Sequence, residues 1–149
     1  MKNQEVGSVL EDLIQTLEDG RKGFSEAAEK LQANGRADLA RRMTEFSAER
    51  GQFSSELRMA AKGMGFEITE DGSGAGALHR GWIALKDALT GDDAHPVLAA
   101  AESGEDHAVK EYEEALAADL PPQIHDVVAK QALKVQAAHD AVRAMRDQN

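Results

Sequence analysis

The sequence contains no cysteine. Disulfides, thiolate nucleophiles and cysteine-ligated zinc or iron–sulfur sites are therefore excluded. Proline occurs three times, and four Phe, one Trp and one Tyr are all the aromatic residues. Few helix breakers and few strand formers, beside abundant Ala, Leu, Glu, Lys and Arg, favour helix over strand. No run of about 18 apolar residues occurs, so no transmembrane helix is expected. The opening "MKNQEVGSVLEDL" lacks the apolar core of an export signal. Together with the missing cysteines this gives the cytoplasm as the expected location. Positive charge is also in short supply. Seventeen basic residues against 27 acidic ones leave a formal charge of −10, which argues against nucleic acid or an anionic membrane as a partner.

What is present is helical periodicity. The 149 residues suit one domain, spanning 1–149, with a sizeable core. Apolar residues recur at three- and four-residue spacing in five stretches. The first carries Leu10, Leu13, Ile14, Leu17, Phe24 and Leu31 and stops near Gly35. The second carries Leu39, Met43, Phe46, Phe53 and Leu57 and stops at "KGMG". The third, "ALHRGWIALKDALTG", reads as a short helix with Leu78, Trp82, Leu85 and Leu89 on one face. "DDAHP" starts the fourth, with Asp92 or Asp93 as cap and Pro96 in the first turn. Pro121 and Pro122 separate it from the fifth, which carries Ile124, Val128, Val135 and Val142. Between the second and third stretches, "GMGFEITEDGSGAG" holds five glycines and no sustained period. It reads as the most mobile internal segment. The expected architecture is all-α: four long helices with a short extra helix in a long crossover.

Several polar residues fall on the apolar stripes. A helix turns about 100° per residue, which puts Glu105 about 20° and Glu102 about 40° from Leu98. By the same rule His139 lies about 20° and Gln131 about 60° from Val128, Arg50 about 40° and Glu49 about 60° from Phe46, and Arg21 about 40° from Leu17. Glu18 is only flanking, and Asp19 and Glu26 come out on the solvent side. Two readings follow. Glu49, Glu102, Glu105 and His139 offer carboxylate and imidazole ligands suited to iron, manganese or zinc. Alternatively Arg21 and Arg50 neutralise the carboxylates, with Gln131 and His139 completing a buried hydrogen-bonded network. The usual di-metal bundle pattern places a Glu on each of two helices and a Glu-x-x-His on each of the other two. This chain has no Glu-x-x-His; "ERGQ" and "QAAH" stand instead. That absence and the two inward arginines favour the network. Counting residues from the Pro121–Pro122 turn places Glu105 and His139 at nearly the same height on antiparallel helices. His79, His95 and His107 read as capping or solvated residues.

The segments "LIQTLEDGRKGFSEAAEKL", "ERGQFSSEL", "GALHRGWIALKDAL", "AESGEDHAVKEYEEAL" and "HDAVRAMRD", taken in order, resemble an uncharacterised bacterial domain-of-unknown-function family of four-helix-bundle proteins grouped with the ferritin-like fold. The resemblance covers about Leu10 to Asp147. It implies a ferritin-like bundle and carries over no established activity. The wider superfamily includes di-iron oxidases, iron-storage proteins, stress-response proteins and members without metal. Glu49, Glu105 and His139 match the helices expected to bear ligands; the first-helix Glu and the Glu-x-x-His pairs have no match. The expected role is that of a non-catalytic structural, interaction or stress-related protein, with a degenerate iron- or manganese-binding site as the alternative. Self-association is expected through a helix face or the short helix, since Trp82 and Leu78 need cover from the crossover or from a second copy.

Overall fold

The computed structural model describes residues 3–68, 81–90 and 93–149. These residues form four long helices, α1 (Asn3–Ala33), α2 (Ala37–Gly63), α3 (His95–Ala117) and α4 (Pro122–Gln148), with a 3-10 helix at Ile83–Thr90. No strand occurs among the described residues. No helix among them is long and apolar enough to cross a membrane.

The helix ends follow from local chemistry. Gly35 adopts φ +77°. The Arg36 N–H donates to the Leu31 carbonyl at 2.9 Å and the Gly35 N–H to that of Gln32 at 3.1 Å. This pair of bonds satisfies carbonyls that α1 would otherwise leave unpaired. Gly65, at φ +82°, ends α2 the same way, with Phe66 donating to Ala61 and Gly65 to Lys62. At the start of α3, Asp93 accepts the His95 N–H at 3.1 Å, and Pro96 lies in the first turn. Asp92 is outside the described residues.

Two apolar clusters divide the core. One contains Phe24 and Leu31 of α1, Met43 of α2, Trp82, Leu98 of α3 and Val142 of α4. The other contains Leu10 and Ile14 of α1, Leu57 of α2, Tyr112 of α3 and Val128 of α4. The first cluster thus gathers the end of α1, the start of α2, the start of α3 and the end of α4. It follows that α2 and α3 run in the same direction, so α2 ends and α3 begins at opposite ends of the bundle. α1 packs against α2 and α3, and α4 against α3 and α2. The diagonals are therefore α1 with α4 and α2 with α3.

The crossover differs from the expected α-helix over 77–91. Its described part is a 3-10 helix that begins after Trp82. Gly81 has φ +96°, and a side chain there would meet the Ser103 carbonyl oxygen at 2.8 Å. The chain presses its backbone onto α3 at this point, and the positive φ of Gly81 lies outside the right-handed helical region, so an α-helix cannot run through it. Leu78, His79 and residues 69–76 of the glycine-rich segment lie outside the described residues. Trp82 is 2% exposed, because α1 and α3 enclose its ring at Gly23, Phe24 and Gly104, so it needs no second copy to cover it.

Candidate functional site

The two apolar clusters part at a polar layer. Arg50 of α2 and Glu105 of α3 meet there across the diagonal. Arg50 is 1% exposed and Glu105 fully buried. The guanidinium donates from both terminal nitrogens, Nη1 to Oε1 at 2.5 Å and Nη2 to Oε2 at 2.6 Å. Such a fork-to-fork pair satisfies both carboxylate oxygens. The guanidinium also lies 5.2 Å from the centre of the Phe24 ring. Burial works against the Arg50 charge, but the Glu105 carboxylate outweighs it and holds Arg50 above its ordinary pKa. Neither partner tolerates loss of the other, because an unpaired charge here has no water to turn to.

A second buried link lies nearby, within the adjoining cluster. The Tyr112 hydroxyl donates to Gln131 Oε1 at 2.7 Å. Gln131 Nε2 in turn donates to the Phe53 carbonyl at 3.2 Å and to Glu56 Oε1 at 3.0 Å. One amide therefore ties α3, α4 and α2 together. Burial pushes the Tyr112 phenol above its ordinary range, so it stays a donor.

The third group sits on the α3–α4 side. Glu102, 6% exposed, receives Arg143 Nε on Oε2 at 2.8 Å and the Arg146 guanidinium on Oε1. His139 faces Asp106 Oδ1 through Nε2 at 2.6 Å and Asp140 Oδ1 through Nδ1 at 3.2 Å. Burial of the imidazole opposes its charge, yet hydrogen bonds to Asp140 and Asp106 raise its pKa overall. Ligand atoms of Glu102, Asp106 and His139 all lie within 4.8 Å of one another.

These placements sort the residues anticipated from sequence. Arg50, Glu102, Glu105, Gln131 and His139 are all buried. Glu102 and His139 come together, but Glu105 turns to Arg50 instead. Glu49 is half-buried and acts on Arg50 through its charge. Arg21 departs from the expected network. Its side chain is 43% exposed and pairs within α1 with Glu18 at 2.9 Å. The register counted from the proline turn holds to one residue: His139 meets the carboxylate of Asp106, next to Glu105. Asp106, Arg143 and Arg146 escaped sequence reasoning. Their signal is spacing, since Asp106 follows Glu102 by four and Arg143 follows His139 by four, each on one helix face.

A di-metal centre does not fit this interior. Both oxygens of Glu105 are held by Arg50, and both oxygens of Glu102 by Arg143 and Arg146. A dication at the centre would have to sit beside the buried Arg50 guanidinium.

No curated protein matches the chain. Residues 5–118, covering α1, α2, the crossover and α3, match the family model described as Domain of unknown function (DUF2383). The chain therefore belongs to the DUF2383 family of domains of unknown function.

Proposed function

We propose that this chain is a ferritin-like bundle whose polar interior is structural, and that it acts through its surface as a non-catalytic interaction protein. The single long crossover between parallel α2 and α3 supports the ferritin-like placement. The observation that carries the functional reading is the Arg50–Glu105 pair. The carboxylate best placed to ligate a central metal is already neutralised, twice hydrogen-bonded and shut away from solvent. In this reading the work of the pair is to fix which helices meet and at what register.

A second reading is favoured by one observation, the convergence of Glu102, Asp106 and His139. Two carboxylates and an imidazole suit zinc, manganese or iron. A cation there would displace Arg143 and Arg146 from Glu102 and the proton from His139. Elemental analysis distinguishes the two readings. The protein is purified without a metal-chelating tag from cells supplied with iron, manganese and zinc, alongside His139→Gln. The interaction reading expects well under one equivalent of any of these metals in both proteins. Near-stoichiometric metal that disappears in His139→Gln overturns it in favour of the second.

A further inference from the structure

The four helices do not share charge evenly. α1 carries seven acidic and three basic side chains, and α3 six acidic and one basic. α2 carries four acidic and five basic, and α4 three acidic and four basic. Because α1 packs beside α3 and α2 beside α4, one side of the bundle is strongly acidic and the opposite side close to neutral. Two copies of a chain with net charge −10 repel wherever their acidic sides approach. If they meet through α2 and α4, the acidic sides stay two bundle widths apart, well beyond the screening length of about 8 Å in physiological salt.

The near-neutral side also carries exposed apolar groups. A groove of 350 Å³ runs between α2 and α4, lined by Phe53, Glu56, Lys130, Gln131, Leu133 and Lys134. Leu133 is 75% exposed, and so is Met59, which follows Glu56 by one turn on α2. Exposed side chains of this size beside a groove mark a surface that gains by being covered.

We propose that the α2–α4 face is an interface between two copies of this chain, related by a two-fold axis parallel to the helices. The proposal rests on the reading of the chain as an interaction protein and names its partner. Charge placement selects the axis. Glu56 and Gln131 lie at the same height, since Gln131 Nε2 donates to Glu56 Oε1 at 3.0 Å. Rotation about an axis in the interface and parallel to the helices lays α2 of one copy over α4 of the other without changing height. Glu56 of each copy then faces Lys130 and Lys134 of the second, and Leu133 is covered by the second copy's α2. A two-fold across the helices would instead stack α4 on α4 and set lysines against lysines. The ion pairs formed this way are reciprocal, as an isologous contact requires.

Sedimentation equilibrium of the full chain, from micromolar to several hundred micromolar, tests this. The expected species is a dimer, twice the chain mass of 16.0 kDa. Leu133→Glu is expected to weaken it at least about tenfold in Kd, as central apolar anchors do. Lys130→Glu with Lys134→Glu is expected to weaken it similarly, and adding Glu56→Lys to restore it. Glu113→Lys, on the exposed part of α3, should leave dimer affinity unchanged or tighter. All these positions are exposed or groove-lining, and circular dichroism verifies that each variant keeps its helices. A monomer over the whole range overturns the proposal. So does a dimer indifferent to Leu133→Glu, or a loss that Glu56→Lys does not restore. Such a failure leaves the metal content unchanged, so it is separable from failure of the interaction reading by a metal centre.

Discussion

His139 sits between two carboxylates, Asp106 and Asp140, and that position shifts its proton affinity. Its pKa is raised above the ordinary 6.5 because the hydrogen bonds to Asp140 and Asp106 outweigh the effect of burial. The folded protein therefore holds this proton more tightly than the unfolded chain. The stabilisation is complete below pH 6.5 and drains away as pH rises through the higher folded value. Asp140 moves the other way. Hydrogen bonds from His139 and Gln136 hold it below 3.8, so its share is present above that value and lost as pH falls through its lower folded pKa. The stability difference between the wild type and His139→Gln is thus expected to peak between about pH 5 and 6.5 and to shrink in the alkaline range. Urea titrations at stepped pH measure it, and a difference that stays constant with pH contradicts the account. Sequence angles find His139, Glu105 and Arg50 because each lies near the middle of an apolar stripe. They fail for Asp19, expected on the solvent side and found 2% exposed. α1 packs against α2, α3 and the 3-10 helix at once, so its covered arc is wider than one stripe. Gln15 donates to Asp19 Oδ1 at 3.0 Å. Arg21 fails in the opposite sense, because Glu18 three residues away on the same helix offers a partner at the surface.

Trp82 shows how one side chain attaches an element. Its indole lies in a slot between α1 and α3, edge-on to Phe24 at a ring-centre distance of 4.8 Å. The slot exists because both helices have glycine where the ring passes. A Cβ at Gly23 would come within 2.3 Å of the indole, and one at Gly104 within 2.2 Å. Glycine inside a helix costs about 1 kcal/mol relative to alanine, so two such residues facing one tryptophan indicate that close approach matters more than propensity. Gly104→Ala should therefore destabilise the protein despite its better helix propensity. In a Trp82→Ala background the same substitution should be neutral or stabilising by up to about 1 kcal/mol. Trp82→Ala alone should cost about 3–5 kcal/mol. Denaturation of the four proteins in this cycle gives the coupling, and a Gly104→Ala cost that persists without the indole contradicts the slot. Periodicity alone runs both helical stretches through Gly23 and Gly104 and gives neither glycine a role. Their partner is not legible either, because nothing in the spacing says which aromatic returns to them from the crossover.

At the scale of the whole molecule, periodicity supplies four helices and their turn residues, while the directions of packing come from elsewhere. The stripes are equally compatible with several arrangements of four helices. The helix contacts place α2 diagonal to α3, and Arg50 reaches Glu105 through the centre of that layout. The match to DUF2383 over residues 5–118 leaves α4 outside its span, yet α4 supplies His139, Gln131 and both guanidiniums on Glu102. The central claim is that the interior carboxylate exists for Arg50 and not for a metal ion. Global unfolding tests it most directly. Wild type, Arg50→Met, Glu105→Leu and the double variant are unfolded in urea in the presence of a chelator. Each single substitution is expected to lower stability by about 3–5 kcal/mol, since each strands one buried charge. The double variant is expected to return to wild-type stability or exceed it by up to about 4 kcal/mol, since an apolar pair of similar volume replaces both charges. If Glu105→Leu alone matches or exceeds the wild type, with no coupling to Arg50, the ion pair is not what Glu105 is for and the account is wrong.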